Sequence, residues 1–589
     1  MKRILLMLVC LIMMSITASA FYAEVDGIYY EFNEDDFTAS TACNYQYNSD
    51  KYTGEIEIPA EVEYEYVKYT VTAIGYSTFR DQSSLTSVKI PNSITSIGSD
   101  AFAYCSSLST IQFPSNLISI GDGAFEECSA LTSISIPNSV TYIGYSAFRD
   151  TGWYNAQPFG LLYIDNCLVD YKGALNGNYI VDDGTRLIAS RIFGMCGGLY
   201  SITIPNSVKH IGAGAFSECR GLAYANLPSG LTDIEERLFG DCNNLKSITI
   251  PEGVKSIGKS AFTHCNGLTT ITIPEGVTSI GEWAFSDCIN LSSILFPSSL
   301  TSIGADAFGG TPWYDNQPQG LVYVGKIAYR YKGEMPANTH IDIEEGTLQL
   351  CGGLFAGFSN LVSITIPNSV KDVGGATFSN CLGLTSITIP NSVEEIGNTC
   401  LFGCSNLKNL TIGSGVKHIG SQAFWGCALE SVTVLAETPP AVDNEEVFSD
   451  YLVSLLVPES AALSYMSTSP WSTFTMFKNL DGEEIKKQKC AKPTITVYDG
   501  YLAFACETEE VEYHFSITND NFPSGSTLSD IIPFSKKIVI TLYASKAGWE
   551  NSDTTTLELD DIKVVGDLNG DGTVNVADHV TLSEMILSK

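Results

Sequence analysis

Apolar and polar positions along this chain keep one rhythm over most of its length. In LTSVKIPNSITSIGSDAFAYC (Leu85 to Cys105), Val88 and Ile90 alternate with Ser87 and Lys89, the two-residue period of a strand with one buried face. Leu85 leads into this strand and Pro91 ends it. Ile94, Ile97 and Gly98 follow, the glycine suited to a tight bend with unusual dihedrals. Ala101, Phe102 and Cys105 then turn inward. LSTIQFPSNLISIGDGAFEEC (Leu108 to Cys128) repeats the phrase 23 residues later, and Pro91, Pro114, Pro137, Pro205, Pro228, Pro251, Pro274, Pro297, Pro367 and Pro390 mark the same step within each run. Such a period predicts a solenoid in which each unit buries its apolar face only against its neighbours.

Two stretches depart from the phrase and match each other. GWYNAQPFGLLYIDNCLVDYKG (Gly152 to Gly173) and PWYDNQPQGLVYVGKIAYRYKG (Pro312 to Gly333) lie 160 residues apart. Each replaces a unit and returns to phase, at Cys196 and Phe358, so both are predicted to be modified coils carrying a hairpin. From Val62 to Val434 the period gives about 16 coils, a body ~75 Å long at the strand spacing of a sheet.

The expected domains follow from composition. Residues 1–20 have a Lys2-Arg3 start, an apolar run and Ala18-Ser19-Ala20, the anatomy of a secretory signal. Residues 21–61 read as an N-terminal β cap, 62–434 as the solenoid, and 435–480 as a closing cap in which Trp471 and Phe474 plug the open end. A Lys-rich linker, 481–489, leads to alternating strands over 490–560, which read as a small all-β sandwich. Residues 564–589 end the chain. No later apolar run is long enough to span a membrane. The chain has 32 basic and 66 acidic residues, a formal net charge of −34; this excludes nucleic acid and anionic lipid as partners and favours divalent cations.

The recurring IPxxVxxIGxxAFxxC phrase resembles the BspA-type leucine-rich repeat family of bacterial surface proteins, over roughly Ile58 to Leu480. The resemblance implies a non-catalytic, secreted or cell-surface protein, of a family associated with attachment to host or matrix proteins and with aggregation between bacteria. Gly500 to Phe504, Tyr513-His514-Phe515 and Tyr543 to Trp549 resemble the chitobiase C-terminal-type module, usually a spacer or accessory piece.

The segment GDLNGDGTVNVAD (Gly566 to Asp578) fits a calcium loop: Asp567, Asn569, Asp571, Thr573 through its carbonyl, Asn575 and Asp578 fall at positions 1, 3, 5, 7, 9 and 12, with Gly572 at 6. Ca2+ is therefore the expected cofactor. The aspartate at position 12 and the helix expected over VADHVTLSEMILSK resemble the dockerin repeat. Dockerins of the first type carry two such loops and this chain shows one, which puts cohesin binding in doubt. A single loop and helix bury little surface, so the tail is expected to pack on the β-module, pair with a second copy or fold on a cohesin-like or cell-surface partner.

Seventeen cysteines in an exported chain would ordinarily imply disulfides, but ten of them share one repeat position: Cys105, Cys128, Cys196, Cys219, Cys242, Cys265, Cys288, Cys381, Cys404 and Cys427. Thr151, Thr311 and Phe358 replace cysteine there without breaking phase, which favours a buried thiol ladder over disulfides; one sulfur per coil does not converge on a metal. Cys490 and Cys506 either pair across strands or do not. No HExxH, GxSxG or phosphate loop occurs, and catalysis in the repeats is not expected. The outward strand positions form a wall of hydroxyls: Ser133 and Ser135, Ser201 and Thr203, Ser247 and Thr249, Thr270 and Thr272, Ser363 and Thr365, Ser386 and Thr388. Two readings stand, a ladder of β-favouring side chains bonding to one another or a docking face for a protein or glycan. Tyr224 and Asn226 interrupt the rows and are the first ligand anchors; Trp283 and Trp425 either join them or cover coil edges. The expected function is a non-catalytic adhesin anchored by its tail, the alternative a scaffold or accessory subunit of an extracellular polysaccharide-degrading complex.

Overall fold

The computed structural model describes residues 20–43, 51–487, 489–498, 501–508, 511–519, 537–547 and 549–560. The signal segment 1–19 and the tail 564–589 lie outside the described residues. The chain forms two compact units, one running to Glu334 and including Leu348–Leu354, the other made of Met335–Thr347 and the chain from Phe355 onward.

The first unit opens with strands Phe21–Val25, Ile28–Asn33 and Thr38–Thr41, paired antiparallel. The first hairpin turns on Asp26 and Gly27 at φ 49° and 83°, the left-handed pair that a two-residue turn with right-twisted strands requires. Thr38–Thr41 pairs parallel with Val67–Ile74, itself in a hairpin with Glu61–Tyr64. The end of Val67–Ile74 pairs with Ser96–Ile97, then come Ser119–Ile120 and Tyr142–Ile143. The cap is thus hydrogen-bonded directly onto the coils. Its expected limit at residue 61 falls late: Gly54–Glu57 pairs parallel with Leu85–Lys89, with Ile56 opposite Val88, and so belongs to the coil ladder. The segment has the alternation of a coil strand, but its unit carries the Glu61–Ile74 hairpin in place of the repeated phrase.

Most coils hold more strand than the one element expected. Besides the strand of the Leu85–Lys89 type, the residue pair before the glycine forms a second parallel ladder, as in Asp233–Ile234, Ser256–Ile257, Ser279–Ile280 and Ser302–Ile303. Two residues are too short for a period to reveal. A third set of bonds crosses the turn: the amides of Asp100, Phe102 and Tyr104 donate to the carbonyls of Asp122, Ala124 and Glu126 in the next coil, and Arg237, Phe239 and Asp241 do the same to Lys259, Ala261 and Thr263.

This close stacking explains the glycines differently from the expected bend. A Cβ on Gly98, Gly121 or Gly281 would lie 2.4–2.7 Å from backbone atoms of the preceding coil, so the side chain is excluded by contact. The left-handed residues lie further on and are mostly not glycine: Asp100, Ser146, Arg237 and Trp283 have φ of 53–55°, as coil equivalents, while Tyr104, Asp241 and Asp287 have φ of 57–63°.

Inside, Leu85, Val88, Ile94, Ile97, Ala101, Phe102, Cys105 and Leu108 are buried as expected, and Ile90 is half-buried. The phenylalanines form parallel stacks, Phe79–Phe102–Phe125–Phe148 and Phe193–Phe216–Phe239–Phe262–Phe285–Phe308, with centroids 5.1–5.7 Å apart. The two modified coils carry the expected hairpins, Gly160–Ile164 with Cys167–Lys172 and Gly320–Val324 with Ile327–Lys332. Each is preceded by a short helix, Gly152–Ala156 or Pro312–Asp315, capped by the hydroxyl of Thr151 or Thr311. Cys167–Leu168 pairs with Leu187–Ile188, which returns the chain to the ladder.

In the second unit, Thr339–Asp342 pairs with Leu361–Thr365, and Ser386–Ile389, Asn409–Ile412, Ser431–Val434, Ser454–Leu456 and Met476–Lys478 pair parallel in that order. The closing cap therefore continues the ladder by two strands. Trp471 and Phe474 are buried against Phe448, and the Trp471 indole donates to Pro440 O at 3.0 Å. Beyond the linker lie an antiparallel pair, Thr494–Tyr498 with Tyr501–Ala505, and an antiparallel triplet, Glu512–Asn519, Lys537–Ser545 and Thr555–Asp560. Cys490 and Cys506 are free thiols, and Cys506 donates to Ala491 O.

Phe239 sits between two stacked rings with its own ring buried. Phe239→Ala is expected to destabilise the protein by about 3–5 kcal/mol, with Phe239→Leu well short of that. Urea unfolding measures both, and an unchanged midpoint for the alanine variant would show that the stack does not hold the coils.

Candidate binding face

The shared cysteine position is occupied by buried free thiols. Apart from Cys196, which meets the Tyr171 side chain, they reach back one coil: Cys128 Sγ donates to Phe102 O at 3.1 Å, Cys219 to Phe193 O at 2.9 Å, Cys265 to Phe239 O at 3.2 Å, and Cys381 to Phe355 O at 3.0 Å. Where threonine replaces cysteine, the hydroxyl of Thr151 or Thr311 donates instead to the phenylalanine carbonyl of its own coil. The position thus calls for a small buried donor, and cysteine is the most apolar side chain that supplies one. Burial pushes most of these thiols up, Cys288 and Cys381 to about 12 and Cys265 further, so those neither ionise nor attack at neutral pH; Cys404 is the exception, lowered by its hydrogen bond with Cys427.

The outward strand positions stand in register, Ser201 beside Tyr224, Thr270 beside Ser293, Thr272 beside Leu295, and Ser386 beside Asn409. The side chains do not bond to one another in the way a self-satisfied hydroxyl ladder would. Among the described residues, the hydroxyls of Ser247, Thr249, Thr270, Thr272, Ser386 and Thr388 make no hydrogen bond within the chain, and all six residues are exposed. The exceptions involve other residue types: Ser201 donates to Asn178, Ser135 to Asp165, and Ser363 and Thr365 meet His340, which also contacts Asp342.

Tyr224 stands on this face, 49 % exposed, edge-on to Tyr200 at 5.8 Å. Tyr200 is just as exposed and does not stand out in the sequence, because it precedes the outward pair and only its aromatic character sets it apart. Ile180, opposite Thr203, and Leu295 add exposed apolar surface to the same rows. Asn226 serves the backbone instead. Its side-chain amide accepts from Ile204 N at 2.9 Å and donates to Ile204 O at 2.8 Å, which leaves it uncommitted to any ligand. Trp283 lies on the turn ladder, with Lys259 Nζ 4.6 Å from its ring centroid, and Trp425, 37 % exposed, is on the corresponding turn in the second unit. The four aromatic and amide candidates are therefore not one site; Tyr224 alone belongs to the strand face as a free anchor. The calcium ligands Asp567, Asn569, Asp571, Thr573, Asn575 and Asp578 lie outside the described residues. Among the described residues, no group of three or more metal-ligating side chains converges, and no helix is long and apolar enough to cross a membrane.

A Leu-x-x-Ile-x-Ile phrase recurring from coil to coil, with parallel strand ladders between coils, defines a leucine-rich repeat solenoid. The chain belongs to the BspA-type leucine-rich repeat family, whose description matches residues 55–158, 186–312 and 328–449, more than half of its length. Members of this family are generally non-catalytic proteins of the cell surface or extracellular space. Similar solved structures include a leucine-rich repeat protein from Bacteroides ovatus (26 % identity, 73 % of this chain and 100 % of that one, TM-score 0.26) and a leucine-rich cell surface protein from Faecalibacterium prausnitzii (24 %, 79 % and 96 %, TM-score 0.25). A leucine-rich repeat protein from Bacteroides capillosus is 35 % identical over 23 % of this chain and 95 % of its own, with a TM-score of 0.20. No curated protein matches the chain.

The raised thiol pKa values fix the sign of a pH effect. Unfolded, these thiols ionise near pH 8.5; folded, they stay protonated. Their contribution is complete below that pH and is lost as pH rises toward 12, by about 1.4 kcal/mol per unit for each thiol still protonated in the fold. The urea midpoint is expected to fall steeply between pH 8 and 10, and less steeply in a variant carrying Cys219→Ala, Cys242→Ala and Cys265→Ala. Parallel pH profiles for the two proteins would contradict it.

Proposed function

We propose that this chain is a secreted or cell-surface binding protein without catalytic activity, whose solenoid strand face recognises a protein or glycan. The observation that carries this reading is the exposed, uncharged hydroxyls of Ser247, Thr249, Thr270 and Thr272 in the first unit, which have no partner among the described residues, together with the Tyr200–Tyr224 pair. Hydroxyls spaced by the coil repeat offer donors and acceptors at low desolvation cost, and rigid tyrosines supply the apolar anchor of a recognition surface. Family membership supports the reading, because members of the family are typically surface proteins. The 490–560 module serves in it as a β-sandwich spacer and the tail as a calcium-ordered attachment element.

Binding of the mature chain to a panel of matrix proteins and glycans, with and without residues 566–589, tests this. The face reading expects the truncated chain to bind one panel member as tightly as the full chain, and Tyr200→Ala with Tyr224→Ala to weaken it at least tenfold. Binding that needs the tail and calcium would favour the second reading, a scaffold or accessory subunit captured by a cohesin-like partner, for which the loop from Asp567 to Asp578 is the specific motif.

The calcium reading has its own test. Titration of the full chain with Ca2+ by calorimetry is expected to show one site, lost in the Asp567→Ala, Asp571→Ala double variant. Unchanged heats in that variant would remove calcium from the tail.

A further inference from the structure

On the turn side of the first unit, away from the strand face, a cleft lies beside Gly194 and Gly214. The third residue after the ladder isoleucine or valine is left-handed in each regular coil; in three successive coils it is Arg191, Gly214 and Arg237. Gly214 leaves a gap between two arginines. Gly194 stands at a position that is Arg149 in the last regular coil before it and Ser217 in the next. Together they form a cleft of about 410 Å3 open to solvent, bordered by Tyr145 and Met195. Met195 is 74 % exposed, unusual for a large apolar side chain held in a rigid turn.

The polar lining is specific in its charges. Glu218 is paired with Arg220 at 3.6 Å and Arg237 with Asp241 at 3.7 Å. Arg191 makes no ion pair or side-chain hydrogen bond among the described residues, on a chain with twice as many acidic as basic residues. Its side chain lies along Gly214, with Cγ 3.2 Å from where a Cβ would stand, so the guanidinium is aimed along the cleft. Five free donors in a planar fork match a carboxylate. Glu218 and Glu236 on the lining repel phosphate, sulfate and polyanions, yet they accept hydrogen bonds from hydroxyls. Tyr145 and Met195 present apolar surface on which the C–H face of a sugar ring packs. The volume falls within the range of small-molecule sites and suits one or two rings.

We propose that this cleft binds an acidic sugar of the uronic acid class, its single carboxylate on Arg191, its hydroxyls on Ser217, Glu218 and Glu236, and its ring against Tyr145 and Met195. The site is independent of the strand face and of the tail, so it stands or falls separately from the reading above.

The test is titration of the full chain with galacturonic acid, with galactose as its neutral counterpart and N-acetylglycine as a non-sugar carboxylate, followed by calorimetry and by ligand-observed NMR. The expected result is saturable binding of the galacturonate, at least tenfold weaker binding of both controls, and at least tenfold loss in Arg191→Ala with partial loss in Arg191→Lys. Arg191 is exposed, so the thermal midpoint of both variants should equal that of the parent. Equal affinity for galactose, tighter binding of N-acetylglycine, absence of saturation at millimolar galacturonate, or unchanged affinity in Arg191→Ala would each overturn the proposal.

Discussion

The interval between one coil and the next, fixed by backbone hydrogen bonds, governs the rest of this molecule. Parallel strand ladders and the turn bonds bring each coil within about 5 Å of its neighbour, and the phenylalanine rings repeat at the same interval. Little else is free once that distance is set. A side chain at the Ile-Gly glycine would enter the preceding coil. A flat ring at the inward position is the largest group that stacks on copies of itself at that spacing. The buried carbonyl behind each ring needs a second donor compact enough to fit beneath it, and the thiol meets that need.

Much of this is legible in the chain because the fold repeats. The proline spacing sets the period, alternation about Val88 and Ile90 separates inside from outside, and the second copy of the Tyr-rich segment identifies both hairpins. What escapes is carried by too few residues or by contacts between coils. The Ser256–Ile257 type of ladder has only two residues per coil. The glycines suggest bending, whereas the left-handed conformations fall on Asp100, Arg237 and Asp241, which have side chains and stand two or more residues further on. Gly54–Glu57 reads as cap because its coil is interrupted by a hairpin.

The candidate sites show the same division. Tyr224 is visible as a break in a row of hydroxyls, and it stands exposed on the face as expected. Its neighbour Tyr200 and the apolar Ile180 and Leu295 do not stand out, since their shared surface exists only when coils are superposed. Asn226 breaks the same row for a local reason, a side-chain amide standing in for a strand residue against Ile204. Trp283 lies instead on the turn ladder of the first unit, and Trp425 on a turn of the second. The cleft beside Arg191 leaves almost no trace in the chain, because its lining residues come together only when coils are superposed.

The turn bonds have a direction. In each coil three peptide groups point their N–H toward the following coil and their C=O toward the preceding one, as at Asp100, Phe102 and Tyr104 or at Arg237, Phe239 and Asp241. In a pleated strand successive peptides oppose one another and their dipoles cancel; here they add, as they do along a helix. Each unit therefore carries an electrical axis, positive toward its C-terminal coils. The chemistry of the closing segment fits that polarity: Val447 O and Ser449 Oγ accept the last turn amides from Phe424 and Gly426, Asp443 accepts from Ser421 N, and the acidic Glu445 and Glu446 begin the short helix there. A stack of this kind has two unlike ends, one that asks for donors and one that asks for acceptors, so the two caps are not interchangeable.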